Sequence, residues 1–144
     1  MSGQSILFTI VIAAAALIVT AGCSSPTEEN PEENGGLQPK LSSIQANVFT
    51  PRCALSGCHS TTDRQAGLDL SQGRSYSNLV NVNSSQIPQL QRVKPGDPDQ
   101  SYLIMKLEGD PQIQQARMPF NSNPLPQSTI NVIRQWISDG AQNN

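Results

Sequence analysis

Apolar residues run almost unbroken from Ile6 to Ala21, interrupted only by Thr9 and Thr20. After Cys23 the pattern turns polar and stays so to residue 40. Apolar periodicity returns at Leu41, Ile44, Val48 and Phe49, which share one helical face. Ser42 or Ser43 is placed to cap that helix, and Pro51 to end or kink it just before Cys53. Residues 60–66 are polar and read as loop, 67–70 alternate as a short extended piece would, and 75–82 suit one or two helical turns with Tyr76, Leu79 and Val80 inward. Pro95, Gly96 and Pro98 make 92–99 turn-rich, with Asp97 or Asp99 positioned to cap a helix over 101–107. Tyr102, Leu103, Ile104, Met105 and Leu107 are dense enough to bury that helix on more than one side. Residues 108–127 form a proline-rich loop around Arg117-Met118-Pro119. The spacing of Ile130, Ile133, Trp136 and Ile137 predicts a last helix from Gln127 or Ser128 to Asp139, with Gly140 suited to the C′ position. No region is strand-rich and no repeat is visible, so the expected class is mostly α.

The N-terminal run changes the picture of where this domain works. Small residues before Cys23, after an apolar stretch, look like a bacterial lipobox, which implies cleavage before Cys23 and lipid on its thiol and new amino group. The run is short of the roughly 20 residues a spanning helix needs, so an uncleaved anchor is the weaker alternative. The chain then divides into a lipoprotein signal at 1–22, a lipid-anchored acidic tether at 23–40 and a domain at 41–144. Glu28, Glu29, Glu32 and Glu33 against Lys40 give the tether a net −3, whereas 41–144 carry +1. The acidity belongs to the tether, and nothing marks the domain as a nucleic-acid binder. The expected location is outside the cytoplasmic membrane, at the outer membrane because no Asp follows Cys23, with the domain in the periplasm or at the cell surface.

The candidate chemistry lies in Cys53-Ala54-Leu55-Ser56-Gly57-Cys58-His59, two cysteines followed by the chain's one histidine. That order reads as a covalent haem site, with each thiol bonded to a vinyl group and the adjacent His on iron. The usual gap is two residues and here it is four, a longer loop that Gly57 lets bulge. With 4% aromatics the chain is poor in core material that a porphyrin would supply. One histidine excludes bis-His ligation, which makes methionine the natural second ligand. Met118 in its loop is the better candidate, and Met105 in an apolar helix reads as packing. Among Arg52, Arg92, Lys94 and Arg117, the candidates to pair with haem propionates are Arg92 and Arg117, with a solvated surface as the plainer role. Trp136 is expected in the core against Val48 and Phe49, where the terminal helices cross. The cysteine pair also admits a disulfide, and a zinc site would lack a fourth ligand.

These elements, in this order, resemble class I c-type cytochrome domains, and more closely the cytochrome c-like domains of bacterial surface and periplasmic proteins. The matching stretches are Val48 to Cys53, Gly57-Cys58-His59, Gly67 to Leu70, Val93 to Pro98, Ser101-Tyr102-Leu103, Arg117-Met118-Pro119 and Ile133 to Ala141. The resemblance implies haem c on Cys53 and Cys58, His59 as proximal ligand and Met118 as distal ligand. It further implies an electron carrier rather than an enzyme, exchanging electrons with redox partner proteins and held to a membrane by its N-terminal lipid. The rival functions are a haem sensor or enzyme with an open sixth site, and a haem-free interaction module with a Cys53–Cys58 disulfide.

Overall fold

The stripe that begins at Leu41 does form a helix, but Pro51 does not end it. In the computed structural model, which describes residues 36–144, α1 spans Leu41–Ile44 and continues directly into a π-helix over Gln45–Cys53 with Pro51 inside it. In an α-helix the proline ring would meet the carbonyl four residues back. The wider i→i+5 winding relaxes that conflict, and Ala54 N donates to Phe49 O at 2.7 Å in this register. Neither Ser42 nor Ser43 caps the helix. Leu41 N donates to Asn144 Oδ1 at 2.9 Å and Ser42 N to Asn144 O at 2.8 Å, so the C-terminal segment closes the first turn.

The short helix α2 covers Ser75–Leu79, α3 covers Tyr102–Glu108 and α4 covers Gln127–Ser138. Asp97 caps the 3-10 turn Pro98–Gln100 by accepting from Gln100 N at 3.2 Å, one element earlier than α3. Ser101 is the N-cap residue of α3, and its hydroxyl bonds instead to Asp97 O and Lys94 N. Gly109 ends α3 at φ +79, a left-handed position that glycine takes without strain. Gly140 does the same after α4, with Ala141 N returning to Trp136 O at 2.9 Å. Among the described residues, extended pairing is limited to isolated bridges such as Val80 with Val93, so the protein is mostly helical as expected.

Ile44, Val48, Phe49, Leu79, Val93, Ile104, Ile133, Trp136 and Ile137 form one core. Each such side chain contributes about 1.5–3 kcal/mol by leaving water. Leu37 belongs to it too, so the folded unit starts inside the segment read as tether. Trp136 shares this core with Val48 and Phe49, and its indole N–H donates to Gln142 O at 2.9 Å. The closest backbone packing of α4 is with α3 and the 98–100 turn rather than with the N-terminal helix. The segment read as a signal, Cys23 and the expected tether as far as residue 35 lie outside the described residues. No described helix is long and apolar enough to cross a membrane.

Candidate functional site

The π-helix decides where Cys53 points. At the α-helical advance of about 100° per residue, Cys53 would lie roughly 180° around from Ile44. The i→i+5 winding turns more slowly, roughly 80° per residue, and returns Cys53 to the stripe of Ile44, Val48 and Phe49. Cys53 accordingly packs half-buried against the core. Burial pushes its thiol up to about 12, with Arg52 lowering it and Cys58 raising it further.

The loop that follows closes on itself. His59 N donates to Cys53 O at 3.1 Å and Cys58 N to Leu55 O at 3.0 Å. The extra residues are looped outward: Ser56 and Gly57 are exposed, Leu55 is 46% exposed, and Gly57 takes φ +77. Cys53, Cys58 and His59 all remain half-buried, and both thiols are free.

His59 is held by backbone alone. Its Nδ1 lies 3.1 Å from Gln65 O, and a carbonyl only accepts, so Nδ1 carries the proton in this contact. Leu70 N donates to His59 O at 2.8 Å, and Gln65 N to Cys58 O at 2.9 Å, which ties the supporting segment to the motif at both ends. Arg64 at φ +39 and Ala66 at φ +55 stand in the left-handed region on either side of Gln65. Such non-glycine conformations cost about 1–3 kcal/mol each and persist only where the surroundings enforce them. Burial lowers the His59 pKa, the Gln65 and Leu68 carbonyls partly restore it, and the charges of Arg92 and Lys106 lower it again. The net effect favours the neutral ring, the form that ligates metals.

Met118 is half-buried against the core, its N–H donates to Lys106 O at 2.8 Å, and the peptide bond from it to Pro119 is cis. Beyond it, Arg52 Nη2 donates to Asn123 O at 3.2 Å, which ties the Met118 loop to the residue beside Cys53. Met105 is buried within α3. Arg92 donates to Asn78 O and Ala66 O, both at 2.9 Å, so it braces the same segment that holds His59. Lys94 pairs with Asp97 at 2.8 Å. The stem of Arg117 lies over Gly109.

Sequence reasoning missed three contributors. Lys106 is a buried lysine on α3, Gln65 acts through a carbonyl, and Asp69 is a buried carboxylate bracing the 61–71 loop by accepting from Ser71 N at 3.0 Å. Only Lys106 left a trace in the sequence, as the one charge within an otherwise apolar run. Among the described residues no group of three or more His, Cys, Asp or Glu is placed to share one metal ion. Two surface cavities, of about 540 and 240 Å³, lie apart from Cys53, Cys58, His59 and Met118. No family model matches the chain, nor does any curated protein or solved structure.

Proposed function

We propose that this protein is a membrane-tethered electron carrier with one covalently bound haem c, ligated by His59 and Met118. The observation that carries the reading is the His59 Nδ1–Gln65 O hydrogen bond directly after a loop bounded by two free thiols. With the proton fixed on Nδ1, the neutral ring keeps the Nε2 lone pair for a metal. The donor set fits the group: two half-buried thiols for two thioether bonds, an oriented imidazole, and a thioether on a loop tied to both α3 and Arg52. Haem would supply a one-electron iron couple, and a thioether ligand favours its reduced form. Half-buried Ala54, Leu68, Leu103 and Val132 offer further apolar surface at the edge of the core. Arg92 uses two of its five N–H donors on carbonyls, which leaves others for a propionate, and Arg117 is the second candidate. Lipid at Cys23 and the acidic tether would keep the domain at one membrane surface while it meets redox partner proteins.

Mass spectrometry and optical spectroscopy of the mature protein test this together. The expected mass shows cleavage before Cys23, lipid and one haem, with a sharp reduced α-band and a Met-to-iron band when oxidised. A haem-free mass with Cys53 and Cys58 oxidised would replace the proposal with an interaction module. A high-spin spectrum that shifts with carbon monoxide would replace it with an open-site haem protein.

A further inference from the structure

Lys106 stands in the middle of α3 and is only 7% exposed. A buried ammonium is costly unless its donors are met. Here they are met by main chain alone: Nζ donates to Gln114 O at 2.9 Å and to Ala116 O at 2.6 Å. Among the described residues no carboxylate pairs with it. The carbonyl of Lys106 then accepts from Met118 N at 2.8 Å. One residue thus grips positions 114, 116 and 118 of a segment with no regular structure of its own. One turn earlier on α3, Tyr102 Oη accepts from Gln114 N at 3.1 Å and donates to Gln86 Oε1 at 2.9 Å. The grip ends on Met118 itself, and Arg52 fixes the far side of the loop at Asn123.

We infer that Lys106 is a positioning residue for the distal ligand, holding Met118 at the iron by gathering residues 114–118 onto α3. This rests on the haem reading above. A neutral side chain of the same length would leave the Gln114 and Ala116 carbonyls without their donor, and the loop would lift from α3.

The test uses the mature protein with the substitutions Lys106→Met, Lys106→Arg, Tyr102→Phe and Ile104→Ala. Lys106→Met should lose most of the Met-to-iron band, bind carbon monoxide when reduced, and show at least tenfold faster amide exchange over 114–118. Lys106→Arg, which keeps charge and donors, should restore the band. Tyr102→Phe removes the Gln114 anchor together with the bond to Gln86, leaves the Lys106 contacts in place, and should give a smaller increase in exchange and partial carbon monoxide binding. Ile104→Ala cuts into the core on the same helix and should retain the band despite its loss of stability. An unchanged band in Lys106→Met, or equal loss in Ile104→Ala, would overturn the assignment. If Lys106→Met does not fold, unchanged exchange and carbon monoxide binding in Tyr102→Phe would overturn it. Absence of haem from the wild-type mass would overturn the haem reading, and the ligand-positioning role with it.

Discussion

Substituting each methionine by alanine should produce opposite rankings in stability and in spectrum. Met105 is 9% exposed in the middle of α3, so its truncation leaves a cavity that costs about 2–5 kcal/mol. Met118 is only half-buried, and on packing alone its truncation costs roughly 1–2 kcal/mol. If Met118 is the distal ligand, the milder packing mutant is the one that abolishes the low-spin signature. The assay is denaturant unfolding of the mature protein, paired with the oxidised and reduced spectra of the same samples. Met105→Ala should unfold at clearly lower denaturant yet keep the Met-to-iron band. Met118→Ala should lose the band and gain carbon monoxide binding. If Met105→Ala loses the band and Met118→Ala keeps it, the ligand assignment and the reasoning from loop anchoring are both wrong.

Ala66→Gly should stabilise the fold by about 0.5–1 kcal/mol, because Ala66 holds φ +55 while exposed, and relief of that strain exceeds glycine's added chain entropy; a lower unfolding midpoint would contradict it. Burial pushes the Asp69 carboxyl up, but hydrogen bonds from Ser71 and Thr61 and the charge of Arg64 bring it net below its ordinary value. Its stabilisation is therefore complete above the unfolded carboxylate value near 4 and is lost as pH falls through the lower folded value. Asp69→Asn should flatten the acid limb of a stability–pH profile, and an unchanged limb would exclude this role. Haem-free protein should alkylate slowly at Cys53, since a thiol near 12 leaves only about one thiolate in ten thousand at pH 8. Iodoacetamide labelling followed by peptide mass analysis reads this directly, and rapid Cys53 labelling in folded protein would refute its burial.

The periodicity of α4 was legible because Ile130, Ile133, Trp136 and Ile137 repeat at helical spacing and all four are buried. The turn over 92–99 was legible for the same local reason, since proline and glycine restrict the backbone wherever they stand. Pro51 was misleading because the rule for proline assumes α winding, and the π register removes its premise. The cap on α1 could not be read locally, because its acceptors come from Asn144, far along the chain. The hold on His59 was equally hidden: it comes from the carbonyl of Gln65, and every residue has a carbonyl.

The sequence by itself determined which residues have the chemistry: two thiols beside one histidine, a later Met-Pro, and apolar stripes sufficient for a mostly helical core. These follow from composition and short-range spacing, which are local properties. Only the tertiary structure decided orientation. It turned Cys53 onto the core side by π winding, looped Leu55 and Gly57 outward, fixed the His59 proton toward Gln65, and set a buried lysine under the Met118 loop. Each of those depends on which backbone carbonyl faces which donor across the fold, and that pairing exists only once distant segments have packed.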